Sequence, residues 1–325
     1  MQFHFGAYVV AALFDSASQA IFALGDGCVH FADKASVEAH PDAAILCAAI
    51  HPSGVGVITG GDDGRVVWST AEAGAVELAR FPGKWIDALA VSEATNLIAF
   101  ATGREVHVRD LGDAKFIRLF AHSHTVADLA FDAKGRKLAC ATYNGAAVWF
   151  SRIADQKPQF LKWAGSHTRI AYSPDGKFLI TAMQDNALHG WRLSDSKDMR
   201  MGGYPSKIRT LSFLAKGKLL ATAGAQGAVV WPFLKANGPM GEQASEINAQ
   251  EGALVTCVAG AEEETLLAGG LDDGRVWIAE LREGGIEWIR RDKGSPISAL
   301  AISPDGYRVA FGDEDGYAVI FEAEA

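Results

Sequence analysis

Ala299-Leu300-Ala301-Ile302-Ser303-Pro304-Asp305-Gly306-Tyr307-Arg308-Val309-Ala310-Phe311-Gly312-Asp313-Glu314-Asp315-Gly316-Tyr317-Ala318-Val319-Ile320-Phe321 decides the fold. Three short apolar runs alternate with two turn signals, Ser303-Pro304-Asp305-Gly306 and Asp315-Gly316. Asp, Asn and Gly tolerate the positive φ that tight hairpins need, so the runs read as consecutive antiparallel strands. No amphipathic helical stretch separates them, which argues against a βαβ arrangement.

The same unit recurs outward from this stretch. First strands open it at Ala11–Phe14, Cys47–Ile50, Ala88–Val91, Asp128–Phe131, Arg169–Tyr172, Thr210–Phe213, Cys257–Gly260 and Ala299–Ile302. Turn dipeptides follow at Asp26-Gly27, Asp63-Gly64, Gly103-Arg104, Asn144-Gly145, Asp185-Asn186, Gln226-Gly227, Asp273-Gly274 and Asp315-Gly316. Their spacing is about 41 residues, and a fourth, more variable strand fits at Val76–Ala79, Phe116–Phe120, Gln159–Trp163, Met199–Gly202 and Glu287–Arg290. Four strands at such a period mark one blade of a β-propeller. The expectation is an all-β single domain over residues 1–325, with eight four-stranded blades and seven as the alternative. The last unit lacks a fourth strand of its own, and Gln2–Tyr8 precedes the first unit without a partner. The N-terminal strand is therefore expected to close the ring, removing an exposed edge.

These residues resemble the WD40-repeat family along essentially the whole chain. Ser173-Pro174-Asp175-Gly176 and Ser303-Pro304-Asp305-Gly306 match its first hairpin, with His51-Pro52-Ser53-Gly54 as a variant. Trp68, Trp149, Trp191 and Trp231 stand at the third-strand aromatic position. His40 and His122 stand where the family's Gly-His dipeptide places its histidine, with Thr59 and Thr142 as hydroxyl partners. The preceding Gly and the Trp-Asp dipeptide are missing, so the buried His–Thr–Trp network is expected to be incomplete in several blades. Met183–Leu193, continuing through Asp198–Pro205, is similar to a bacterial WD40-like group.

The chain has 325 residues, 49% of them hydrophobic, 35 glycines and a formal net charge of −9. That balance fits a folding globular chain and disfavours a general nucleic-acid binder, which needs a basic footprint. Cys28, Cys47, Cys140 and Cys257 each sit in an apolar run without a CxxC pair, so they read as reduced, small hydrophobes. No run approaches the roughly 18 apolar residues of a membrane-spanning helix, and no basic leader precedes one. A cytoplasmic chain, monomeric and off the membrane, is the expectation.

Nucleophile-elbow and Walker-type motifs are absent from the sequence, and Gly60-Gly61-Asp62-Asp63-Gly64 reads as a hairpin turn. His122 and His124, two apart, and the Asp62-Asp63 pair fall short of a metal set, because His122 is already read as the repeat histidine and the Asp turn lacks the remaining oxygens of a calcium loop. No cofactor or metal is expected. First strands line the centre of a propeller, which puts Asp87, Asp128, Arg169 and Arg209 at the channel mouth. Asp128 and Arg169 occupy matching positions in adjacent units, either as an inter-blade ion pair or as a polar patch.

Between His189 and Lys218 lie Arg192, Lys197, Arg200, Lys207, Arg209, Lys216 and Lys218, opposed only by Asp195 and Asp198. Such a run reads as a solvated face or as a docking site for an acidic partner. The residues expected to bind a partner are Trp85, Tyr143, His167, Gln184, Asp185, Met199, Arg200, Met201 and Tyr204, on the loop face of units three to six. The long connection Pro232–Gly252 is expected to be a mobile surface loop. The functional expectation is a non-enzymatic scaffold binding a protein or peptide. The alternative is a metal-dependent enzyme or ligand binder working through the central channel.

Overall fold

The computed structural model describes residues 1–282 and 284–322. Within them, β-strands alternate with tight turns, and the only helical element is the short 3-10 turn Glu93–Thr95. The strands form seven hydrogen-bonded sheets, six of four strands and one of six. The first sheet is typical, with Val9–Phe14, Ala20–Leu24, Cys28–Phe31 and Val37–Glu38 paired antiparallel in chain order.

Eight separate four-stranded blades are thus corrected to seven sheets, the number held as the alternative. Repeats four and five run into one six-stranded sheet from Asp128–Phe131 to Lys197–Met201. The join is the 14-residue strand Gln159–Tyr172, whose first half pairs with Gly145–Val148 and second half with Phe178–Met183. Lys137–Phe150 still doubles back inside this sheet. Asn144 takes φ 65° at its bend, and the Ser151 N–H donates to Arg136 O at 2.9 Å. The repeat period survives, but no loop interrupts the hydrogen-bonded strand between these two units.

Second strands such as Ala20–Leu24, Leu97–Ala101 and Phe178–Met183 are buried along their whole length. Each is covered on both faces by a neighbouring sheet, which is why they are continuously apolar rather than alternating. The core is accordingly a series of layers between sheets. Val106, Val108 and Phe120 of unit three pack with Leu129, Leu138 and Trp149 of unit four. Val230 of unit six packs with Leu267 and Trp277 of unit seven.

The turn reading holds in detail. Gly27, Gly64, Gly103, Asn144, Asn186, Gly274 and Gly316 all have positive φ. Repeat six differs, because Gly224 rather than Gly227 takes the left-handed conformation, at φ 100°. In Ser173-Pro174-Asp175-Gly176 the serine hydroxyl donates to Asp175 Oδ1 at 2.7 Å and accepts from the Phe178 N–H at 2.9 Å.

The two ends meet. Gln2–His4 pairs antiparallel with the last strand, Gln2 opposite Val319 and His4 opposite Tyr317. Phe3 and Phe5 stack on one another at 5.6 Å and lie 5.8 and 5.6 Å from Phe22. Ser298 Oγ donates to Val9 O at 2.7 Å, tying the first strand of unit eight to that of unit one. The architecture is a β-propeller.

The connection after Trp231 is not a free loop. Phe233 packs edge-on against Phe178 (5.4 Å) and Phe213 (5.2 Å), and Met240 and Ala244 join the same cluster. Ser245–Ile247 is the fourth strand of unit six. A 21-residue stretch that looked mobile for its length is held by apolar burial against units five and six.

Candidate binding face

Strand direction decides which residues share a face. The loops entering each first strand and the turns between second and third strands lie together on the upper face of the ring. Trp85 stands on a loop entering unit three and is 66% exposed, while Tyr143 on a turn of unit four is 49% exposed. Gln184, Asp185 and Arg200 are also exposed. Arg200 Nη2 approaches Asp185 Oδ2 at 3.5 Å, a loose surface pair.

Four of the expected contact residues are buried, which corrects their role. Tyr204 directs its hydroxyl inward, 2.7 Å from Thr222 Oγ1, and accepts from Trp231 Nε1 at 2.7 Å. It takes in unit six the place that a histidine holds elsewhere. His167 is fully buried with Nδ1 2.7 Å from Thr181 Oγ1. Met199 and Met201 pack into the core with Phe178, Ile180 and Tyr204. Sequence could not separate these from surface residues, because a loop-borne aromatic and an alternating Met pair fit either side of a strand.

The buried polar network varies from unit to unit. In unit two, His40 bonds Thr59 Oγ1 through Nε2 (2.8 Å) and Asp63 through Nδ1 (3.0 Å). Unit three uses His107 and Thr102 at 3.1 Å. The expected His122–Thr142 bond is not made. Thr142 donates to backbone carbonyls, and His122 Nε2 and Trp149 Nε1 are buried without hydrogen-bond partners among the described residues. Trp68 likewise leaves the network, donating to Val55 O and stacking on His51 at 4.3 Å.

The channel charges resolve differently from an ion pair. Asp128 Oδ2 accepts the Ile170 N–H at 2.9 Å, while Arg169 donates from Nε to Arg209 O (3.1 Å) and from Nη1 to Thr168 O (3.1 Å). Both belong to a belt of side chains that reach the next unit's backbone. Cys47 reaches Ile86 O, Thr210 accepts from Val258 N, Thr256 donates to Ile297 O, and Ser298 donates to Val9 O. Burial raises the Asp128 carboxyl to about 6 despite the nearby Arg169 charge. Burial also raises Asp87, against the pull of the same Arg169 charge.

The basic run is divided by the fold. Arg192 pairs with Asp195 (2.5 Å), and Lys216 with Glu263 (3.2 Å), on turns of the opposite face. Arg200, Lys207 and Arg209 remain on the upper side. Linear charge counting could not show that consecutive strand ends alternate between faces.

One groove gathers Tyr143 and His167, expected at a partner site, with His124, read only as half of a histidine pair. It has a volume of about 520 Å³ and is lined by Arg104, Ser123, His124, Thr125, Tyr143 and Ser166. His124 lies 5.4 Å from the Tyr143 ring. The histidine pair at 122 and 124 pointed instead toward a metal. Among the described residues no group of three or more His, Cys, Asp or Glu is placed to hold a metal ion.

Comparison with known proteins gives the same picture. The model of the WD domain, G-beta repeat, matches residues 31–68. Protein ROOT INITIATION DEFECTIVE 3 of Arabidopsis thaliana is 25% identical over 228 residues, 65% of this chain and 51% of that protein. A ribosome biogenesis protein WDR12 homolog of Drosophila mojavensis is 22% identical over 42% of this chain and 34% of its own length. The COMPASS component SWD3 of Saccharomyces cerevisiae is 25% identical over 48% of this chain and 52% of its own. The chain therefore spans about a third to a half of the length of the curated relatives it matches. Among solved structures, the computationally designed Ika8 protein superposes with a TM-score of 0.76 at 18% identity, covering 98% of this chain and 97% of that one. The Cps50 (Swd1) β-propeller domain of Myceliophteria thermophila gives 0.66 at 18% identity, over 86% and 97% of the two chains. The RRP9 WD40 repeats give 0.64 at 14%, over 86% and 95%.

Proposed function

We propose that this β-propeller, whose residues 31–68 match the WD domain, G-beta repeat, is a non-enzymatic scaffold of the WD40-repeat kind that holds a protein or peptide on its upper face. The observation carrying this reading is the groove beside Tyr143, where an exposed tyrosine, an imidazole, a guanidinium and three hydroxyls surround a concavity on tight turns. Preformed turns lose little entropy on binding, and exposed Tyr and Arg are frequent interface anchors. Two relatives are named for a ribosome biogenesis role and for membership of COMPASS, which supports work within assemblies. The four free cysteines support a cytoplasmic site of action. The pairing of Gln2–His4 with the last strand supports a ring closed by the N-terminal strand within a single domain.

The test is affinity capture from the native cell with wild-type, Tyr143→Ala and Trp85→Ala proteins. A partner recovered with the wild type is expected to be lost or strongly reduced with Tyr143→Ala. Equal recovery with both variants places the contact elsewhere. Tyr204→Ala is not an informative variant, because that side chain supports the core.

A further inference from the structure

Arg169, Lys207 and Arg209 converge at the channel mouth between units five and six, around a concavity of about 160 Å³ that Thr168 and Gln184 also line. All three cationic side chains are exposed, and none lies within 4 Å of a carboxylate among the described residues. Arg200, in the same unit, leans instead on Asp185. The chain as a whole carries a net charge of −9, so this cluster runs against the overall sign.

Arg169 is also held in place without an acid. Its Nε and Nη1 donate to Arg209 O and Thr168 O, two backbone carbonyls, so neutral acceptors set its orientation; Asp128 and Asp87 lie near enough to feel its charge but form no ion pair with it. Nη2 and the second N–H of Nη1 remain for a ligand. A guanidinium presented in this way meets two oxygens at its end, and Lys207 and Arg209 add donors on either flank. The Gln184 amide supplies a neutral donor.

We propose that this concavity is a seat for a phosphoryl group. A carboxylate has one charge and two oxygens, which Arg169 alone satisfies. A phosphoryl dianion has three terminal oxygens and roughly twice the charge, and it uses all three cations. The concavity is large enough for such a group. The inference deepens the scaffold reading and rests on it for the upper face as the binding face. The phosphoryl group is either free in solution or carried on a partner's chain.

The experiment titrates the full chain at low salt with inorganic phosphate, then with a Gly-Gly-Ser-Gly-Gly peptide phosphorylated on serine and with its Ser→Glu counterpart. Heat of binding and NMR shifts of arginine side chains are the readouts. Saturable phosphate binding is expected with a dissociation constant on the order of 1 mM or tighter, weakened about tenfold or more by Lys207→Glu with Arg209→Gln. Lys216→Glu with Lys218→Glu, on the opposite face, is expected to leave it unchanged. Tighter binding of the phosphopeptide than of phosphate assigns the group to a partner's chain, and the reverse assigns it to a free ligand. The proposal is overturned by absence of saturation with phosphate, by equal loss in the opposite-face variant, or by a glutamate peptide that binds as tightly as phosphate does. Because phosphate needs no partner, such a failure alongside partner loss in Tyr143→Ala removes this site and leaves the scaffold reading standing.

Discussion

The histidines show what single residues contribute. Burial holds His107, His122 and His189 down at about 4, well below the ordinary imidazole value. His30, His40, His51 and His167 are also lowered, chiefly by burial. The folded state therefore binds fewer protons than the unfolded chain between pH 6.5 and about 4, and stability falls as pH drops through that window. Asp128, raised to about 6, and Asp87, also raised by burial, act in the opposite sense and favour the fold as pH falls, but they are two groups against seven histidines. The melting temperature is expected to decline steadily from pH 7 to pH 4.5. A rise over that range would overturn the assignment of these rings as buried and neutral. Tyr204→Phe keeps the ring in its cluster but removes the hydroxyl shared by Thr222 and Trp231. It is expected to cost about 1–2 kcal/mol in urea unfolding. Of the two histidine positions read from the sequence, His40 takes part in this network and His122 does not. The tyrosine substitute at 204 was not legible, because nothing local to Tyr204 reveals whether its hydroxyl faces water or Thr222.

At the scale of elements, the belt of side chains bonding the next unit's backbone fastens neighbouring sheets near the channel. Asp128→Asn retains an acceptor for the Ile170 N–H and removes a charge that burial disfavours. Stability at pH 7.5 is expected to rise by on the order of 1–2 kcal/mol, with little change below pH 4, as judged by urea midpoints. The reduced value allows for partial exposure of the group and for its attraction to Arg169. The docked connection after Trp231 depends on Phe233, which touches both Phe178 and Phe213. Phe233→Ala is expected to cost about 2–3 kcal/mol, below a full core deletion because the ring is half-buried. It should also expose 234–244 to limited proteolysis. An unchanged cleavage pattern would show that other contacts hold the segment.

For the whole molecule, the meeting of the two ends is the structural commitment with the longest reach in sequence. Phe3 and Phe5 fill the layer between units eight and one beside Phe22, and Gln2–His4 covers the edge of the last strand. Deleting residues 1–7 is expected to lower the melting temperature markedly and to promote association through the uncovered edge, measured by scanning calorimetry and light scattering. Ser298→Ala, which removes only the bond to Val9 O, is expected to cost about 1 kcal/mol. A truncated chain with unchanged melting temperature and unchanged light scattering would show that the fold does not depend on this strand.

The strand order, turn positions and radial repetition were determined by the sequence itself, because period-two apolar runs, left-handed turn residues and a regular repeat length are local properties. The Ser-Pro-Asp-Gly hairpins needed no more than their own hydrogen bonds. Only the tertiary structure decided that repeats four and five share one sheet, that 232–252 is docked, and that Tyr204, His167, Met199 and Met201 face inward. It also divided one basic run between two faces and brought Arg169 beside Lys207 and Arg209. The reason is physical. Burial and charge proximity depend on which neighbouring blade covers a side chain, and that neighbour is about forty residues away along the chain.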